Sequence, residues 1–201
     1  MKSITIDIDE PESLPVDLEI LKSDLRISSD ALDDVLMEQY IPDAVSWAEG
    51  VMHRAIIARE HRWILSDFPR GTDQTITLPR GKVQSVASIA YSSGGAVTTL
   101  TGPSSASSPV GTDYQEDLRG HAGRLMPNRG SSWPSTDIDV VAPVVITFTA
   151  GWTDHTKVPA DIRRAITASV FEAMELNGLL VTKSGFDVDF RDKLISAYRC
   201  F

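Results

Sequence analysis

The chain has 201 residues, an apolar fraction of 42% and a net charge of −9. That is enough apolar material for a core and too ordinary for a membrane protein, since no window approaches the ~18 uninterrupted apolar residues of a spanning helix. All of the net charge lies in residues 1–43, which hold twelve acids and three bases, while the remainder holds sixteen of each sign; a general nucleic-acid binder carries its excess the other way, because phosphate contacts need Lys and Arg.

Residues 1–15 are acidic and proline-bearing and alternate in polarity. They read as an arm or a short edge strand, and the opening lacks the apolar run of a signal peptide. Leu18, Ile20, Leu21 and Leu25 fall at helical spacing behind Asp17, a plausible N-cap. Ser28-Ser29-Asp30 then caps a second helix with one apolar stripe through Ala55. Pro42 is expected to kink it by removing a backbone bond.

From residue 60 the period changes. Strands are expected at 62–65, 74–79, 83–91, 97–100, 113–116, 123–126 and 140–150. Ser92-Ser93-Gly94-Gly95 suits a hairpin turn, because glycine takes positive φ without steric cost. Gly102–Gly111 is low-complexity and reads as a mobile surface loop. Pro143 places the first half of the last strand at an edge. Pro159 opens a helix over 161–176 that Asn177-Gly178 ends. A flexible run over 181–185 leads to a short helix near 190–198. The fold class is therefore α+β: a helical bundle of N-terminal helices and a C-terminal helix pair, with an inserted antiparallel β domain. The divisions are 1–15, 16–58, 59–151 and 152–201.

No constellation for catalysis emerges. His53, His61, His121 and His155 form no paired zinc motif on a helix. Asp137-x-Asp139 and Asp187-x-Asp189 recruit no third ligand and read as solvated loop acids. Gly120–Arg124 lacks the ending of a phosphate loop, and no Gly-x-Ser-x-Gly elbow is present. Cys200, the single cysteine, can close no internal disulfide and has no positioned base; this fits a protein kept in a reducing cytoplasm. Trp63, Trp133 and Trp152 sit at strand and loop boundaries, where such rings pack a sheet face or, if exposed, anchor an interface. No cofactor and no metal is expected.

Several short stretches, in order, carry a resemblance. They are Leu21-Lys22-Ser23-Asp24-Leu25-Arg26-Ile27; Ala44 to Ile56, ending Arg54-Ala55-Ile56; Trp63 to Pro69; Ile76-Thr77-Leu78-Pro79-Arg80-Gly81 through Val86; Ser132-Trp133-Pro134; Phe148-Thr149-Ala150-Gly151-Trp152; Val158-Pro159-Ala160-Asp161-Ile162-Arg163-Arg164-Ala165-Ile166; and Ile195-Ser196-Ala197-Tyr198-Arg199. This order, over residues 14–201, resembles the head–tail connector (head-completion adaptor) family of long-tailed bacteriophages and gene-transfer agents. The loop at 102–111 and the acidic arm depart from it.

The resemblance implies a structural protein of the virion neck, assembled in the host cytoplasm, and not an enzyme. It implies a ring, typically of twelve copies, under the portal protein. Such a ring extends the DNA channel without sequence-specific binding and docks stopper or tail-completion proteins. It further implies that the C-terminal segment grips the portal. Here that segment offers a Gly185 hinge and Phe190, Arg191, Lys193, Leu194, Tyr198, Arg199 and Phe201. The acidic end has two readings: a solvated helix face, or a surface that repels DNA or meets a basic partner. On the second, Asp30, Asp33, Asp34 and Glu38 face the channel or a neighbouring subunit. The alternatives are a tail-terminator or stopper ring, usually richer in β-structure, and a ligand-binding β module without an enzyme motif.

Overall fold

The computed structural model describes residues 3–7, 9, 11, 13–104, 109–137, 139–177, 179 and 188–199. The chain forms two compact units: residues 1–10 with 58–151, and residues 11–57 with 152–201.

The first unit is built on strands. A five-stranded antiparallel sheet has the order β1 (Ser3–Asp7), β2 (Arg59–Leu65), β8 (Val144–Ala150), β4 (Val83–Ser93) and β5 (Ala96–Leu100). A second sheet of three short strands has the order β3 (Ile76–Thr77), β7 (Arg124–Pro127) and β6 (Tyr114–Asp117). The central strand β8 shows the period of two. Val144, Ile146, Phe148 and Ala150 are fully buried, while Val145, Thr147 and Thr149 are half-buried.

β8 starts later than the sequence suggests. Ala142 holds a positive φ of 63° and Pro143 has no N–H, so β8 begins at Val144 and only the Pro143 carbonyl still reaches β4. β3 is likewise cut to two residues of the expected six. The β4–β5 turn follows the sequence closely: Gly94 and Gly95 take φ of 63° and 78°, the double-positive turn whose twist matches a hairpin.

The second unit is helical. Asp17 caps α1 (Leu18–Leu25) by accepting from the Ile20 N–H at 3.0 Å. The expected single second helix is instead a composite. Ser29 caps a 3-10 turn (Asp30–Leu32), followed by the short α2 (Asp33–Val35), a π segment (Leu36–Tyr40) and α3 (Ile41–Met52). The cause is Pro42. It has no N–H to offer the Glu38 carbonyl, and the preceding turn widens so that the Ile41 N–H reaches Leu36, five residues back.

His53 adopts the left-handed conformation, φ 53°, and ends α3. Glu49 then reaches past the break and accepts from the Ile56 N–H at 2.8 Å, fixing how the chain leaves the helix. α4 (Ala160–Leu176) and α5 (Val188–Ser196) complete the unit. Its core gathers Leu21, Leu36, Ile41, Met52, Ile56, Ile162, Ile166, Val170, Met174 and Ile195. Trp152 belongs to that core, with the Arg54 guanidinium 5.8 Å from its ring centre.

Candidate functional surfaces

Three surfaces matter: the C-terminal helix, the acidic cluster behind α1, and the loop end of the β unit. The first two lie in the helical unit and the third in the β unit.

α5 is packed onto α4 and α3 rather than standing free. Ile195 is fully buried, and Leu194 and Tyr198 pack against the same core. Arg191 is held twice. Its guanidinium lies 4.0 Å from the centre of the Trp47 ring, and Nη1 donates to Glu172 Oε2 at 2.5 Å. Burial, with Asp161 beside it, raises the Tyr198 phenol above its ordinary pKa. Of the seven residues expected to grip a portal, Arg191, Leu194 and Tyr198 thus face their own unit, while Lys193 and Arg199 are exposed. The Phe190 side chain, Phe201 and the hinge at Gly185 lie outside the described residues.

The acids divide in a similar way. Lys22 is almost fully buried, and its ammonium sits 2.6 Å from Asp30 Oδ1 and 2.9 Å from Asp33 Oδ1. A buried ammonium is costly unless paired, and these two carboxylates pair it. The hydrogen bond from Lys22 holds the Asp30 carboxyl below the usual range, and the same bonds raise the lysine. Asp33 is half-buried in this cluster, while the Asp30 side chain pairs with Lys22 and stays exposed, as Asp34 and Glu38 are.

The signs of these shifts fix a pH dependence. A depressed carboxyl contributes stability above its unfolded pKa and loses it as pH falls through the folded value. A raised lysine contributes below its unfolded pKa and loses it as pH rises through the folded value. The pairing is thus fully present between the ordinary carboxylate and lysine ranges. Lys22→Met is expected to lower the denaturation midpoint at neutral pH and to flatten the acid limb of the stability profile. Urea titrations from pH 7 down to pH 2 check it; an unchanged acid limb means the pairing contributes nothing.

At the loop end of the β unit, Asp137 gathers the hairpin. It accepts from the Gly94 and Gly95 N–H groups at 2.7 and 3.0 Å and from the Ser92 hydroxyl at 2.9 Å. The Gly95 and Gly94 amides, then Ser92, hold its carboxyl below the usual range. This gives Asp137 of the Asp-x-Asp pair a structural job the sequence did not suggest. Among the described residues no group of three or more His, Cys, Asp or Glu could hold a metal ion, and no helix is long and apolar enough to cross a membrane. The ends of the 102–111 loop are pinned: a Cβ on Gly102 would strike the Tyr114 ring, and one on Gly111 the Gly102–Pro103 backbone. Residues 105–108 of that loop lie outside the described residues.

A shallow groove of about 220 Å³ runs between α1 and α4, lined in part by Asp17, Asp24, Arg163, Arg164 and Thr167. Its two carboxylates and two guanidinium groups are balanced in charge.

No protein-family model and no curated protein matches the sequence. Solved structures do, in each case over 98% of this chain and 96% of the other. One is a chain in the neck of an empty gene transfer agent (GTA) particle computed with C6 symmetry, with a TM-score of 0.75 and 20% identity. Another is in the virion of a native GTA particle, with a TM-score of 0.73 and 19% identity. A third is in the neck of a native GTA particle computed with C12 symmetry, with a TM-score of 0.62 and 20% identity. Both units and their order along the chain fall within these matches, and the chain has the fold of a GTA neck protein.

Proposed function

We propose that this chain is a structural subunit of a virion neck: a head–tail connector that forms a ring under the portal, extends the DNA channel and docks stopper or tail proteins. The observation that carries the reading is the end-to-end likeness to chains in GTA necks computed with sixfold and twelvefold symmetry. The reading assigns no catalysis to the chain. It treats residues 11–57 and 152–201 as a helical body and residues 1–10 with 58–151 as a β module.

The reading assigns the role to exposed charges. In α5 and the turn after it, Lys193 and Arg199 are the cations presented outward, and they are the ones assigned to the portal. Asp34 and Glu38 are the acids assigned to the channel or a neighbouring copy. Acidic walls suit a conduit, because fixed cations would bind the phosphates of passing DNA. Asp30 and Asp33 contribute to that field only in part, since Lys22 offsets them.

The test is cryo-EM of the purified protein mixed with its portal protein, beside a Lys193→Glu, Arg199→Glu variant. The wild type is expected to give a symmetric ring on the portal and the variant a weaker or absent one. A ring with both moves the portal contact elsewhere. No ring from the wild type overturns the connector reading.

A further inference from the structure

Among the described residues the five-stranded sheet has two open edge strands, although just past β5 the Thr101 N–H and C=O are already paired with Asp113. Natural sheets blunt an edge with lysine, proline, a bulge or a cover, because its unpaired N–H and C=O groups invite another chain. β1 reads Ser-Ile-Thr-Ile-Asp and β5 reads Ala-Val-Thr-Thr-Leu, with no proline and no lysine in either. Both run five residues in unbroken register with their single neighbour. The irregularities of the sheet lie inside it instead, between β4 and β8. Each edge also carries apolar side chains in the open: Ile4 is 58% exposed, Ile6 44% and Val97 76%.

The outward backbone groups of β5 can be named. The Ser92 N–H donates to the Pro143 carbonyl at 2.8 Å, and the Ser92 carbonyl accepts from Asp137 N–H at 3.0 Å. Both therefore point away from β5, so Val97, opposite Ser92, is in a non-hydrogen-bonded pair. Its own N–H and C=O aim outward, and so, two residues on, do those of Thr99.

We propose that these two edges form one interface: β5 of one copy pairs with β1 of the next, extending the sheet from subunit to subunit. The proposal rests on the ring reading above and adds the contact that builds it. The polarity follows from the strand count. All four pairings within the sheet are antiparallel. In a sheet of five, the two edge strands then run in the same direction. A rotation of a sixth or a twelfth of a turn swings a strand by at most that angle and does not reverse its sense, so β5 and the next copy's β1 meet as a parallel pair. Head-to-tail pairing uses both edges at once and leaves none open when the ring closes. Pairing of β5 with β5 would be antiparallel, would stop at two copies and would leave β1 bare.

Two experiments test this. Thr99→Pro removes an outward N–H while keeping the bonds to β4, and proline is tolerated on an edge strand. Its circular dichroism and melting temperature are expected to match the wild type, while rings on the portal require a protein concentration higher by about tenfold or more. Separately, in a Cys200→Ser chain, Thr5→Cys is combined in turn with Val97→Cys, Thr98→Cys or Thr99→Cys and oxidised mildly on the portal. One register is expected to give a ladder of cross-linked multimers, with none from the single-cysteine chains. Cross-linked dimers from a lone β5 cysteine mean that β5 meets β5, and overturn the proposal. Rings that form normally with Thr99→Pro and give no ladder also overturn it, while leaving the ring reading intact. No ring from the wild type removes both.

Discussion

Ile195→Ala is expected to destabilise the helical unit by about 2–5 kcal/mol, the range for emptying a buried aliphatic site. Ile195 is fully buried in the same core as Ile166, Val170 and Met174, and α5 is the last element to join it. Arg191 works in the same direction from the side of the helix. Its planar guanidinium lies over Trp47 and reaches Glu172, so Arg191→Lys loses the stack even though it keeps the charge. Lys193→Glu, on the exposed face, is expected to change stability by no more than about 0.5 kcal/mol. Urea denaturation of the three variants separates the cases. An unchanged midpoint for Ile195→Ala would mean that α5 contributes nothing to the core. This matters for how portal binding is probed. Cutting the chain after Gly185 removes a piece of the core together with any portal contact, so its failure to assemble would not locate the grip. Charge reversal at Lys193 and Arg199 leaves the core alone.

The sequence announced what depends on neighbours along the chain. Asp17 as a cap, Gly94-Gly95 as a turn and Pro159 at the head of α4 each act within a few residues of themselves, and each appears where expected. Pro42 was legible as a disturbance, but not its form, because a widened turn and a kink satisfy the same missing N–H. Long-range pairing was hidden. Lys22 meets Asp30 and Asp33 across the end of α1, eight and eleven residues on, where no helical spacing rule applies. From composition the acids form one solvated face; in the fold Asp30, still exposed, and half-buried Asp33 also pair with a buried cation. Arg191 is the same case from the other side: a charged residue on a terminal helix reads as a partner-binding group until Trp47, far away in sequence, is found beneath it. An edge strand was one of two readings of the N-terminal segment, and β1 is an edge; that β5 is the other was hidden, because the order β1-β2-β8-β4-β5 depends on pairings that strand patterns do not encode.

Trp133→Ala is expected to cost the β unit about 3–5 kcal/mol, as large as the loss of an aromatic from a regular core. The residue lies in a run, 128–143, without strands among the described residues, held by a few backbone bonds and by side chains. Trp133 is 3% exposed and stacks on Phe68, ring centres 5.0 Å apart and planes 5° from parallel. Its indole N–H donates to the Gln74 carbonyl at 2.7 Å, and its backbone N–H to Gln74 Oε1 at 3.3 Å. Arg70 then closes over it, donating to the carbonyls of Trp133 and Pro134 at 3.1 and 2.9 Å. The ring is thus a plug, and the polar bonds fasten the loop around it. Trp133→Phe separates the two contributions: it keeps much of the stack and leaves the Gln74 carbonyl without its donor, for an expected loss of about 1–3 kcal/mol. Denaturation followed by circular dichroism measures both. A loss below about 1 kcal/mol for Trp133→Ala would mean that the loop is an accessory laid on the surface. A loss in the expected range makes Ser132-Trp133-Pro134 a part of the β core, so its place in the connector-like order of motifs follows from folding and not from contact with a partner.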